Sequence, residues 1–422
     1  MGYWFEDPGI KGLLPLATAS GIRGLSGGFN TPMILMGPNV FPTGSSLGST
    51  TIDRLSNRCS TKRVFIISDP FAQKFAAKVV AYMATGGFTS EVWAKVEPEA
   101  PVDNVRVCAE AMTAFEPDLI MAVGGGSVMD AAKGAWIMYE RPDLIDLMNY
   151  NPLSPLNLRQ KAIFAAVPTT AGTGSECTGA AVLHDHEFDR KIPISSGELV
   201  PDFAILNPEF TMSMPPKLTA GTGLDVLAHA MDSIMAVGAG EMTDGMGLGA
   251  IKYTFKYLPR AYVNGRDREA RHRMLIGASM AGIAFGHAGA ALTHSFGHTL
   301  GSIFNIHHGV AVGIFIPYAL QYYSRTTDRY TKIAKALDIQ GQNDAESLSN
   351  IVNKVRSFFK ELDIPLNLKD LGISEDTMQK DMERMVLYTL EDIDTIFSPR
   401  PMSAKECEKI WNYAYHGKDI DF

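Results

Sequence analysis

Cysteine is scarce: the 422 residues hold four, at Cys59, Cys108, Cys177 and Cys407, and no two form a CxxC pair. That spacing excludes a disulfide framework as a source of stability and fits a reducing, cytoplasmic setting. Positive charge is also short. Lys and Arg number 38 against 46 Asp and Glu, the net charge is −8, and no basic stripe interrupts the chain. A nucleic-acid-binding surface is therefore not expected. Long apolar runs are missing too: the longest, residues 310–320, is too short to span a bilayer and is broken by Gly313 and Pro317. The N-terminus has no charged segment leading into an apolar one, so neither a signal peptide nor a membrane partner is expected. Internal repeats and low-complexity tracts are absent as well.

What is present is an ordinary globular composition, 46% hydrophobic and 20% charged. A chain of 422 residues exceeds one ordinary core, so two domains are expected. Residues 1–30, Gly-rich and punctuated by Pro, read as an N-terminal extension. Over residues 31–214 short apolar runs alternate with helical patterns. VFIIS at 64–68 and DLIMAV at 118–123 have the continuous apolar character of parallel strands buried on both faces; helices are expected over 71–85 and 104–115, and a strand over 89–96. The alternation predicts an α/β dinucleotide-binding domain on a doubly wound, mostly parallel sheet. After Pro215 the β pattern stops, and residues 215–422 read as an all-α C-terminal metal-binding domain.

Two loops in the first domain suit a nucleotide. AVGGGSVMDAAKGA sets Gly125, Gly126 and Ser127 between a buried strand and a helix. Backbone N–H groups can approach a pyrophosphate there, and the helix N-terminus adds a favourable field. A ligand-free tight turn would use glycine as well. Asp130 is expected in the first helical turn, where it either contacts a ligand or only meets the helix dipole. AAVPTTAGTGSE supplies hydroxyls from Thr169, Thr170 and Thr173 beside Gly172 and Gly174, although threonines in turns often cap their own backbone. Two such loops at strand C-termini are stronger than one, because open α/β sheets bind ligands there. Asp69, at the end of the 64–68 strand, either meets a ribose 2′-OH or caps the helix after Pro70.

The second domain is organised around residues 285–309, FGHAGAALTHSFGHTLGSIFNIHHG, which hold five of the ten histidines. His294 and His298 are four apart, one helical turn, and His308 follows ten residues later. GLDVLAHAMD places Asp225 and His229 four apart on another expected helix. Imidazole and carboxylate are the donors that complete a divalent site, so Asp225, His229, His294 and His308 are the candidate metal set. Any one of them could instead be a satisfied core residue.

Together, GGGS (124–127), PTTAGTGSE (168–176), GLDVLAH (223–229), HSFGHTLG (294–301) and HHG (307–309) resemble the iron-containing, or group III, alcohol dehydrogenases. The resemblance extends to the closing SPRPMSAKECEKIWNYAY and omits only residues 1–30 or so. It implies a metal held by Asp225, His229, His294 and His308, with His298 beside the nicotinamide as the catalytic residue, relaying a proton unless its role is structural. It also implies that Asp69 meets the adenosine ribose of NAD, that Gly125, Gly126, Ser127, Thr169, Thr170 and Thr173 cradle the coenzyme, and that Lys191 reaches it from the following strand. The implied reaction is hydride transfer between NAD(H) and a small alcohol/aldehyde pair in a cleft between the domains, with Fe²⁺ as Lewis acid. The same donors suit Zn²⁺ or another divalent ion. A homodimer or larger homo-oligomer is implied as well. Two departures stand out: His307 beside His308 leaves the ligand register ambiguous, and His287, where relatives often carry Asn, faces the substrate or packs the helix. Phe285 is a candidate substrate wall or a core aromatic. The rival readings are an NAD- and metal-dependent lyase of the dehydroquinate synthase type, a metal-dependent phosphohydrolase and a non-catalytic scaffold.

Overall fold

The computed structural model describes residues 7–9, 12, 28–41, 50–187 and 190–422. Most of the 1–30 extension thus lies outside the described residues. The chain divides into two compact units, one containing Asn30–Ser213 and the other Met214–Phe422 together with Phe29.

The first unit runs β1 (Met33–Met36), α1 (Thr51–Ser56), β2 (Arg63–Ser68), α2 (Gln73–Thr85), β3 (Thr89–Trp93), α3 (Val102–Phe115), β4 (Leu119–Gly124), α4 (Gly126–Glu140), β5 (Ile163–Pro168), β6 (Ala180–Asp185), β7 (Arg190–Ser195) and β8 (Phe203–Leu206). Six strands form one sheet in the order β1-β8-β5-β4-β2-β3, and every pairing in it is parallel. The apolar runs explain the burial on both faces. Val64, Ile66, Leu119, Met121, Ile163 and Ala165 face one side, against Phe75 and Val79 of α2 and Leu55 of α1. The alternate residues face the other side, where Phe65 meets Phe115 of α3 and Phe164 stacks on Trp136 of α4 at 5.1 Å. Each such Val, Ile or Phe, removed from water, contributes about 1.5–3 kcal/mol, so this double-sided packing dominates the unit. Strand order reverses between β2 and β4, and the crevice at the C-terminal ends of those two strands is where an open sheet takes a ligand. An antiparallel ladder of β6 and β7 stands apart from the sheet. Sequence patterning does not separate it from the parallel strands, because its residues alternate too weakly.

The second unit is helical: α5 (Pro216–Met235), α6 (Glu241–Val263), α7 (Arg268–Ala288), α8 (Leu292–Phe304), α9 (His308–Ile314), α10 (Ile316–Tyr323), α11 (Tyr330–Ala336), α12 (Asp344–Glu361), α13 (Glu375–Glu391) and α14 (Ala404–His416). No single helix among the described residues is long and apolar enough to cross a membrane. Every residue of α5 from Gly223 to Met235 is buried, as suits a helix surrounded by others. Glycines let α9 press against its neighbours. A methyl added at Gly309 would lie 1.9 Å from the Gly221 carbonyl oxygen of α5, one at Gly313 would meet Leu224 at 3.0 Å, and one at Gly297 of α8 would meet the Val312 backbone at 2.6 Å.

That crossing leaves no room to relax, so Gly309→Ala should lower stability by at least about 1–3 kcal/mol, the usual cost of overpacking. Gly245→Ala on α6, where an added methyl meets nothing within 4 Å, should instead raise stability by about 0.5–1 kcal/mol through lost unfolded-state freedom. Urea unfolding of the two variants checks the pair; shifts of the same sign would mean the α5–α9 contact is loose.

Candidate active site

The glycine crossing brings α9 onto α5, and with it His308 onto Asp225. The helical spacing places Asp225 and His229 on one turn of α5, and α8 brings in His294. Three imidazole nitrogens surround one carboxylate oxygen: His308 Nε2, His229 Nδ1 and His294 Nε2 lie 3.3, 3.6 and 3.9 Å from Asp225 Oδ1. Asp225, His294 and His308 each offer a ligand atom within 4.8 Å of the other two, a group that does not include His229. Asp225 is 3% exposed and His294 2%, while 43% of the His308 side chain faces solvent, which leaves a way in.

Asp225 Oδ1, His229 Nδ1 and His294 Nε2 are buried with no hydrogen-bond partner among the described residues. Orphaned polar atoms are uncommon in a folded interior, and here they face one another. His294 Nδ1 donates to Asp232 Oδ2 at 3.0 Å, which in the neutral ring makes Nε2 the nitrogen with the lone pair; against burial, Asp232 pushes the imidazole's pKa up. Asp232 is itself fixed by the Ala291 amide at 2.9 Å and the Thr293 hydroxyl. Burial pushes His229 down to about 3, reinforced by His294 and His308 and opposed by Asp225, which keeps its ring neutral and able to ligate. Burial raises Asp225, but His229, His308 and His294 outweigh it and hold the carboxyl below its ordinary range. The donor set therefore fits a divalent cation.

Around these residues the geometry separates further roles. Phe285 stacks on His229 at 3.9 Å and 8°. His298 Nδ1 donates to Asp392 Oδ2 at 2.9 Å, with Asp394 Oδ2 at 3.8 Å. His287 packs: Phe29 stacks on its ring at 4.2 Å and its Nδ1 lies 2.8 Å from the Ile283 carbonyl of its own helix. The His307 ring lies against Gly221, where an added methyl would meet it at 2.7 Å. Asp232, Asp392 and Asp394 escaped the sequence reading. Asp232 had a signal, seven residues after Asp225 on the same helical face. Asp392 had none, since it lies 94 residues beyond His298.

In the first unit the two glycine-threonine loops touch. A methyl on Gly125 would meet the Thr170 side chain at 3.3 Å, and one on Gly126 would meet Thr173 Cγ2 at 3.0 Å. The Thr169 amide donates to the Gly124 carbonyl at 2.9 Å, and Thr173 Oγ1 accepts from the Ser175 amide at 3.2 Å. Ser127 Oγ accepts from the Glu99 amide at 3.2 Å, and Lys191 Nζ stands 3.9 Å from Glu99 Oε2, so these residues gather on the same edge. Asp69 Oδ1 accepts from the amides of Phe71 and Ala72, both at 2.7 Å, so the capping role is present. Asp130 needs a correction: α4 already begins at Gly126, which puts Asp130 beyond the first turn. There burial raises its carboxyl to about 6 against the pull of Lys133, and Ser175 Oγ lies 3.5 Å away.

Two family models match the chain: "Iron-containing alcohol dehydrogenase" over residues 42–208 and "Fe-containing alcohol dehydrogenase family, C-terminal" over residues 219–415. The chain is 34% identical over 378 residues to the NADPH-dependent butanol dehydrogenase of Clostridium saccharobutylicum, covering 89% of this chain and 97% of that protein. It is 33% identical to aldehyde-alcohol dehydrogenase 2 of Entamoeba histolytica, covering 84% of this chain but only 44% of that longer protein. Among solved structures, an alcohol dehydrogenase from Oenococcus oeni superposes with a TM-score of 0.83 at 27% identity, over 92% of this chain and all 100% of that one. With both halves matched, the chain belongs to the iron-containing alcohol dehydrogenase family and is a metal-containing oxidoreductase.

Proposed function

We propose that the protein moves hydride between NAD(H) and a small alcohol/aldehyde pair, using Asp225, His229, His294 and His308 to hold Fe²⁺, with Zn²⁺ suited to the same donors. The carrying observation is the set of three imidazole nitrogens around the unpartnered Asp225 Oδ1. When bound, the cation supplies Lewis-acid stabilisation of the substrate oxygen, and the nicotinamide supplies the hydride chemistry. The chain's own groups do the rest. Asp232 keeps the His294 proton on Nδ1, Phe285 shields one face of His229 from water, and His298 carries the proton between substrate and solvent. Gly125, Gly126, Ser127, Thr169, Thr170 and Thr173 cradle the coenzyme, joined by Lys191 and, through Ser175, by Asp130. Asp69 uses Oδ1 as a cap and leaves Oδ2 for the ribose. The butanol dehydrogenase relative is named for NADPH, so coenzyme choice in this chain turns on that carboxylate. The four free, buried cysteines fit a cytoplasmic setting, and the family resemblance supports a homo-oligomer. Neither the lyase nor the phosphohydrolase reading has support in the family match.

Replacing Asp225, His229, His294 or His308 by Ala should each strip most bound metal and activity, because an open site has few ligands to spare. His307→Ala should cost much less; metal analysis showing the reverse for 307 and 308 would shift the register by one.

NAD(H) should be preferred over NADP(H), and Asp69→Gly should narrow the preference. Repulsion of a 2′-phosphate at a partly exposed carboxylate is worth ~1–3 kcal/mol, or roughly 5–150-fold in the ratio of kcat/KM values. Equal use of both coenzymes by the unaltered enzyme would remove Asp69 from this role.

His298→Ala should keep stoichiometric metal while lowering kcat by ~10²–10⁴, the usual range for a general acid/base. A metal-free variant would make His298 a ligand, and full metal with near-normal kcat would make it packing.

A further inference from the structure

Asp392 and Asp394 come from the far end of the chain to meet His298. Asp392 is the N-cap of the 3-10 segment Ile393–Phe397, its Oδ1 accepting from the Asp394 amide at 2.9 Å. Hydroxyls pin this segment to α8. Thr395 Oγ1 donates to the Thr389 carbonyl at 2.6 Å and shares a hydrogen bond with Ser295 Oγ at 2.8 Å. Thr389 Oγ1 in turn bonds Thr299 Oγ1 at 3.2 Å. Ser295 and Thr299 bracket His298 on α8, so the carboxylate and the imidazole are held by one framework.

We propose that Asp392 is a positioning residue for His298: its Oδ2 fixes the imidazole as the Nδ1–H tautomer, so that Nε2 is the nitrogen offered to the reacting groups. This rests on the reading of His298 as the residue beside the nicotinamide. A neutral imidazole has one donor and one acceptor nitrogen, and an ionised carboxylate can only accept. A 2.9 Å bond to Oδ2 therefore decides both the tautomer and the plane of the ring. Asp394, at 3.8 Å, is beyond hydrogen-bond distance and does not share the role. His298, Asp392 and Asp394 also offer ligand atoms within 4.8 Å of one another. A cation there is disfavoured, because His298 Nδ1 and Asp392 Oδ1 already have partners.

The test is a double-mutant cycle on the metal-loaded enzyme with Asp392→Asn, His298→Ala and the double variant. Asn keeps the size and the capping oxygen but can turn an N–H donor toward His298. Asp392→Ser, which keeps a capping oxygen and falls short of the ring, guards against a folding artefact. Both Asp392 variants should lose about 10–100-fold in kcat, the usual cost of removing an orienting carboxylate, with metal content, NADH affinity by fluorescence and melting temperature held. The double variant should be no slower than His298→Ala, because nothing remains to be positioned. Near-normal kcat in His298→Ala would overturn the reading of His298 and this inference with it. A slow His298→Ala beside unimpaired Asp392 variants, or losses that multiply in full, would overturn the inference alone. So would loss of metal from Asp392→Asn, which would assign the carboxylate to a cation.

Discussion

Removing an ionised carboxylate from water costs several kcal/mol even after its surroundings relax, and Asp225 sits on α5 with 3% of its surface exposed. Its Oδ1 has no hydrogen-bond partner among the described residues to offset that cost. His294 donates its Nδ1–H to Asp232, so in the neutral ring the Nε2 lone pair faces the Asp225 oxygen at 3.9 Å. Lone pairs gathered in this way repel one another, and a divalent ion among them turns repulsion into binding. Much of the helical unit is arranged around this demand: the buried α5 that carries Asp225 and His229, the α8 that carries His294, and the glycines that admit α9.

A second rank of carboxylates decides what each imidazole presents. Asp232 accepts a hydrogen bond from His294 Nδ1 at 3.0 Å, and Asp392 accepts one from His298 Nδ1 at 2.9 Å. The two histidines lie four residues apart on one helix, and the pattern of partners is the same. Their surroundings differ. The His294 side chain is 3% exposed with its Nε2 turned toward Asp225, whereas the His298 side chain is 34% exposed. A shielded imidazole suits ligation, and one with access to water suits proton transfer. Burial and the neighbouring Asp392 push Asp394 up, while His298 outweighs burial to hold Asp392 down.

The legible parts of this chain were those set by local spacing. Continuous apolar runs gave β2 and β4, whose residues are buried on both faces because the pairing is parallel. Pairs at i,i+4 gave Asp225 with His229 and His294 with His298, because one helical turn fixes which side chains share a face. What stayed hidden was set by tertiary approach. Spacing along the chain favours His308 over its neighbour His307, and it is the tertiary approach of α9 to α5 that puts His308 Nε2 3.3 Å from Asp225 Oδ1 and the His307 ring against Gly221. Asp392 reaches His298 across 94 residues, a distance no period reports. Asp130 was misplaced for a different reason: a glycine-opened helix can start at the glycine itself, and α4 does so at Gly126.

The candidate coenzyme loops answer a different problem, since backbone amides must be held open for a ligand without collapsing. Gly125 and Gly126 leave just enough space for Thr170 and Thr173 to pack where a methyl would crowd them. Lys133, on the same helix, is completely buried and uses its ammonium to gather the far end of the second loop. It donates to the carbonyls of Ser175, Thr178 and Ala180 at 2.8, 2.8 and 2.7 Å. Three carbonyls match the three N–H bonds of an ammonium, which is what a charge this far from water requires. One buried cation thus ties the second loop to the helix that carries the first. Loops tied together in this way have little freedom left to lose when a ligand binds them.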